Sequence, residues 1–178
     1  MRTKSMIDRY AQNSWLDPRI EIRESNIHGK GSFARSLIRA GEIVVVWGGN
    51  VFTIDDVKSG KLKPGTIAAI SEHLVLASPL DAPENPDQYL NHSCDPNLWM
   101  HDEVTLAARR DILPGEELTA DYAMWEWDED WVAPWKCSCS SVSCRGMITG
   151  GDWRLAELQE RYHGHFSPFI NERIAKLI

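Results

Sequence analysis

Several things are scarce in this chain of 178 residues, and each scarcity excludes something. No apolar run approaches the roughly 20 residues that a bilayer-spanning helix needs, so a membrane partner is not expected. The opening residues, Met1 to Asp8, lack the apolar stretch that heads a secreted chain. Positive charge is in deficit: 19 Lys and Arg face 26 Asp and Glu, for a net charge of −7. Phosphate backbones are gripped by the opposite excess, so direct nucleic-acid binding is not expected either. A basic protein or peptide is the electrostatically natural partner, although ordinary soluble proteins share a mildly acidic balance. Cysteines number only four. With no secretory signal they are expected as thiols in a reducing, intracellular compartment, the cytoplasm in a microbe, with the nucleus left open. Internal repeats and low-complexity tracts are missing as well.

What is present suits one globular domain: 43% of residues are apolar and 25% charged. Residues 1–18 form an N-terminal extension with the pattern of a short amphipathic helix through Met6 and Tyr10, with Trp15 beyond, ending before Asp17-Pro18. From 19 to 123 short strands alternate with Gly and Pro. Arg19 to Arg23 alternates polar and apolar, and Ile43 to Trp47 is a β-branched run closed by Gly48-Gly49. His73 to Leu76, Val104 to Ala108 and Glu117 to Tyr122 read as further strands. So many strands with so little room for crossover helices exclude a parallel doubly wound sheet. Residues 124–150 hold an acidic, tryptophan-rich loop and a cysteine segment. Residues 151–178 turn helical: Leu155, Leu158 and Tyr162 share one face, and Ser167-Pro168 starts a last helix carrying Ile170, Ile174 and Leu177. The fold class is therefore mainly β with C-terminal helices packed on the same domain.

His28-Gly29-Lys30-Gly31-Ser32-Phe33-Ala34 matches the dinucleotide fingerprint G-x-G-x-x-A. That fingerprint requires a helix after the glycines, and here Ala40-Gly41 turns the chain almost at once into a strand. Two glycines around one residue still allow the backbone to approach a ligand closely, or form a plain hairpin turn. Cys137-Ser138-Cys139 and Cys144 make C-x-C-x4-C, and Cys94 stands alone in Asn91-His92-Ser93-Cys94-Asp95-Pro96-Asn97. Four thiolates complete a tetrahedral structural Zn²⁺ with none left over; the alternative is a set of unconnected buried thiols.

Taken in order, Gly29-Lys30-Gly31, the Asn91–Asn97 block, Gly115-Glu116-Glu117-Leu118-Thr119-Ala120-Asp121-Tyr122 and C-x-C-x4-C resemble the signature of SET-domain protein-lysine methyltransferases with a post-SET zinc segment. The resemblance covers residues from about 19 to 148, and the short chain is most similar to compact, stand-alone microbial members. It implies a SET fold of small curved antiparallel sheets with a threaded C-terminal segment. It implies S-adenosylmethionine as cofactor and methyl transfer to the ε-amine of lysine in a protein substrate. Residue by residue, His28, Gly29, Lys30 and Gly31 would meet the amino-acid end of the cofactor. Asn91 and His92 would hold it from the other side, and the segment after Cys144 would help cover the adenine. Tyr122 would stand where donor and lysine meet, as both the catalytic and a cofactor-binding residue. Cys94, Cys137, Cys139 and Cys144 would be the zinc ligands.

In three places the sequence departs from the family pattern. Gln88-Tyr89-Leu90 precedes Asn91 where relatives carry an Arg-aromatic pair. Leu74-Val75-Leu76 occupies a stretch that often holds an active-site tyrosine. Ala120 stands where a Phe or Tyr limits methylation state, which implies room for di- or trimethylation. The run from Trp125 to Trp131 has two readings: acids that draw a basic peptide, or a solvated loop whose tryptophans fold onto the core. A catalytically silent SET module that binds cofactor or peptide as a scaffold is the rival function.

Overall fold

The structure, a computed structural model, describes residues 9–177. In chain order the first strands are β1 (Trp15–Leu16), β2 (Ile20–Glu24), β3 (Lys30–Ala34), β4 (Ile43–Val46) and β5 (Asn50–Thr53), followed by helix α1 (Ile54–Lys58). Then come β6 (Ala68–Ala69), β7 (Leu74–Ala77), β8 (Asn91–His92), β9 (Leu98–Met100), β10 (Thr105–Ala108) and β11 (Glu117–Ala120). Two helices close the chain, α2 (Ala156–Arg161) and α3 (Pro168–Ala175).

The strands form three small sheets, ordered β1-β4-β10-β9, β2-β3-β11-β8 and β5-β7-β6. Val44 and Val45 of β4 are buried, as a β-branched run inside a sheet should be. Leu98, Leu106, Ile112, Leu118 and Trp153 pack into one main core beneath them. Among the described residues every strand pair is antiparallel except β8 with β11, which sets Asn91 beside Thr119 and His92 beside Ala120. That two-residue parallel contact positions the candidate site.

The glycine loop leads into strand β3 with no helix after it, as expected. The last helix also agrees: Pro168 is its first residue, and the Ser167 side chain accepts the Ile170 N–H at 3.3 Å.

Four expectations need correction. The N-terminal helix lies largely outside the described residues; its described end is bent backbone, and Trp15 pairs with Val46 in β1. Glu117 to Tyr122 is not all strand. It stops at Ala120 because the Asp121 carboxylate accepts the Ala123 N–H at 3.1 Å and caps a 3₁₀ turn, Tyr122–Met124. Leu155 is the N-cap of α2 and 41% exposed, so only Leu158 and Tyr162 of its trio are buried. Leu177 lies past the end of α3 and is 56% exposed.

Candidate active site

The candidate site grows from the β8–β11 contact. Asn91 is buried, and its Nδ2 donates to the His28 and Lys30 carbonyls at 3.2 and 3.1 Å and to Glu117 Oε1 at 2.7 Å. One side chain thereby fixes the backbone of the glycine loop, while His28, Gly29 and Lys30 stay exposed. Gly29 takes φ +45°, which an L side chain would strain. Gly31 is buried, and a Cβ there would strike the Glu117 carboxylate that Asn91 holds.

His92 follows Asn91 and is buried. Its Nδ1 accepts the Tyr122 N–H at 3.3 Å, which leaves the ring proton on Nε2, 3.4 Å from Cys94 Sγ. Burial pushes its pKa down to about 4 despite the nearby Asp121 carboxylate, so the ring is neutral at pH 7. The Tyr122 ring lies edge-on to it, 5.2 Å between centroids, and Trp135 lies 6.0 and 6.2 Å from the His92 and Tyr122 rings.

The Tyr122 hydroxyl donates to the Leu90 carbonyl at 2.9 Å, and burial pushes its pKa up to about 12. It is a neutral, oriented phenol and a poor base. On its far side opens a cavity of about 490 Å³, walled by Trp47, Trp125, Trp127 and Trp131 and by apolar residues between Val57 and Ala68. The Trp125–Trp131 run thus divides between its two readings. Its tryptophans line this cavity and also pack onto the core, while Glu129 pairs with Arg154 at 2.7 Å and Arg173 at 3.5 Å. Ala120, by contrast, is wholly buried in the main core.

The four cysteines converge. Their sulfurs all lie within 4.8 Å of one another, and Cys94 and Cys137 are 3.9 Å apart. Around a tetrahedral ion with Zn–S bonds of about 2.3 Å, sulfurs stand roughly 3.8 Å apart. Burial pushes the Cys94 thiol up to about 11 and raises Cys137 further. At Cys139 burial is outweighed by the N–H groups of Cys94 and Ser141, and the thiol falls to about 7. Such a set resists shedding all its protons unless a cation compensates, so the geometry and the donor chemistry both fit a thiophilic dication.

The sequence reading missed the staple beside this cluster. Arg145, next to Cys144, donates to both oxygens of buried Asp121 at 2.7 Å and to Asp152 at 2.8 Å. Tyr162 adds its hydroxyl to Asp121 at 3.1 Å, and Arg161 caps the Cys94 carbonyl at 2.7 Å. The position of Arg145 directly after the last cysteine was the available signal.

Three small sheets, a tyrosine bordering an aromatic cavity and four converging thiols define a class of domain, and sequence comparison identifies it. Residues 29–123 match the SET domain, more than half of the chain, and the chain belongs to that family. It is 31% identical over 142 residues to "Histone-lysine N-methyltransferase trithorax" of Drosophila virilis, covering 72% of this chain but 4% of that protein. It is 36% identical over 90 residues to "Methyltransferase flvH" of Aspergillus flavus, covering 49% of this chain and 48% of that one. The chain therefore spans less than two thirds of these relatives. The methyltransferase domain of human SETMAR superposes with a TM-score of 0.59 at 23% identity, over 75% of this chain and 58% of that one, a likeness of fold.

Proposed function

We propose that the chain transfers the methyl group of S-adenosylmethionine to the ε-amine of lysine in a protein. One observation carries this reading: Tyr122 links the aromatic cavity to the glycine loop through His92 and Asn91. Its ring borders the aromatic cavity, and its N–H is tied to His92, beside the Asn91 that fixes the glycine loop.

S-adenosylmethionine, when bound, supplies a methyl group on a sulfonium. The exposed backbone of His28 to Gly31 suits its amino-acid end, and the main chain at Asn91 and His92 suits its adenine. Trp135, close to both His92 and Tyr122, is the aromatic of the C-terminal segment best placed to cover it. The chain's own work is to align and to exclude water, because in-line displacement asks for little else. The Tyr122 phenol, its proton committed to Leu90, keeps an oxygen lone pair that can orient the incoming amine.

Cys94, Cys137, Cys139 and Cys144 hold structural Zn²⁺ in this reading, which suits a reducing intracellular compartment. The substrate is a basic, lysine-bearing protein: among the described residues the cavity wall contains aromatics and carboxylates and no Lys, Arg or His. The silent-scaffold alternative leaves the cavity-lining Tyr122 without a purpose.

The test is transfer of labelled methyl from S-adenosylmethionine to a panel of basic proteins, with Tyr122→Phe as control. Label on lysine that falls at least about 10²-fold in the variant supports the reading. Cofactor binding by calorimetry with no transfer to any protein would overturn it in favour of the scaffold.

A further inference from the structure

Lysine attacks a sulfonium only as the neutral amine, yet it arrives as an ammonium with a reference pKa of about 10.4. Some group must receive that proton. Tyr122 is unsuited, with its pKa near 12 and its hydroxyl donated to Leu90. His92 is engaged on both ring nitrogens, between the Tyr122 N–H and Cys94 Sγ.

Three carboxylates line the cavity that Tyr122 borders: Asp87, Glu126 and Asp128. Asp87 has one oxygen on the Ser14 hydroxyl at 2.8 Å and the other sealed from solvent. Asp128 turns Oδ1 to the Asp130 N–H at 3.1 Å, within its own exposed turn. Glu126 differs from both. Its Oε1 accepts the N–H groups of Trp127 and Asp128 at 3.0 and 3.2 Å, which fixes the carboxylate. Its Oε2 has no hydrogen-bond partner among the described residues and, unlike Asp87 Oδ1, is not sealed away. Its own N–H bonds to the Tyr122 carbonyl at 2.8 Å, so one turn of backbone joins the two residues, and both line the cavity.

From this placement we propose that Glu126 is a further catalytic residue, the base that takes the proton of the substrate ammonium inside the aromatic cavity. This rests on the methyltransferase reading. In the step, one Nζ–H bond breaks and its electron pair stays on nitrogen. The proton passes to Glu126 Oε2. The freed pair then forms the N–C bond as the S–C bond breaks, and the electrons of that bond remain on sulfur as a neutral thioether. The methylammonium product leaves, and Glu126 returns its proton to water at the cavity mouth.

The surroundings favour the transfer. Burial, with Asp128 adding its charge, raises the Glu126 carboxyl above its ordinary value and makes it a stronger base. The other charged side chain on the wall, Asp87 from the turn before β8, is also acidic, and the segment from Val57 to Ala68 contributes no charged lining residue. Among aromatic walls an ammonium–carboxylate pair is poorly solvated, which favours the neutral amine–acid pair.

Glu126→Gln keeps the oxygen that accepts from Trp127 and Asp128 and removes the base. The expected result is a kcat about 10²-fold lower near pH 7, with cofactor affinity by calorimetry unchanged. The defect should shrink as pH approaches about 10.4, where lysine loses its own proton to water. A peptide with an aminooxy group in place of the terminal CH₂–NH₃⁺, already neutral at pH 7, should be methylated equally by both proteins. Unchanged kcat on lysine, or an equal, pH-independent loss on both peptides, would overturn the proposal while leaving methyl transfer intact. Wild-type protein that methylates neither these peptides nor any of the panel of basic proteins would instead sink the methyltransferase reading, and this proposal with it.

Discussion

Arg145 and Asp121 meet through two parallel hydrogen bonds of 2.7 Å, one residue after the last cysteine of the knuckle and one residue before Tyr122. The pair is nearly out of solvent, with side-chain exposures of 10% and 0%. It therefore couples the four-thiol cluster to the turn that aims the phenol. Breaking a buried pair leaves a stranded charge, and Arg145→Met should cost about 3–5 kcal/mol. Urea unfolding measures this. Adding Asp121→Asn to the same chain should recover part of the loss, because the stranded charge goes with it.

His92 makes stability depend on acid. Its folded pKa is pushed down to about 4 by burial, against an unfolded value of about 6.5. The folded state thus binds fewer protons. Its contribution is fully present above pH 6.5 and is lost as pH falls towards 4, for a total of roughly 3 kcal/mol. Unfolding free energies measured across that window should slope in the wild type and flatten in His92→Gln. Parallel slopes in the two proteins would dismiss His92 as the cause.

The strands were legible where chemistry repeats along the chain: the β-branched run at Ile43, the alternation at Ile20 and Ile22, the Ser167-Pro168 start of α3. Short contacts left no such trace. The β8–β11 pair spans two residues each and has no period to read, yet it brings His92 next to Tyr122. The Thr53–Asp56 capping box that starts α1 passed unnoticed inside an otherwise strand-rich stretch. In the candidate site, motif residues were visible because residue type and spacing carried them. Arg145 was not, because its partner lies 24 positions away. Glu126 and Glu129 look alike in an acidic run; only the fold turns one towards the cavity and the other towards Arg154.

The knuckle predicts a specific response to losing metal. Native mass spectrometry should find one zinc per chain. Cys94→Ser, or a strong chelator, should release it, because Cys94 is the one ligand that comes from outside the 137–144 segment. Hydrogen exchange should then accelerate across residues 137–148, while β4 and β10, paired inside the main sheet, stay protected. Uniform acceleration across both regions would mean that the ion supports the whole fold.

We propose that Ala120 sets how far methylation proceeds. It sits two residues before Tyr122 and is fully buried; its carbonyl accepts the Ser93 N–H at 3.0 Å. A methyl side chain stands there where the SET pattern carries a ring, so the expected product is di- or trimethyl-lysine. Ala120→Tyr should confine the product to monomethyl-lysine and, by overpacking, cost about 1–3 kcal/mol of stability. Intact-mass analysis of a peptide taken to completion reads the first effect, and thermal unfolding reads the second. A wild-type protein that stops at one methyl, with the same product from the variant, would assign the limit to a residue other than Ala120.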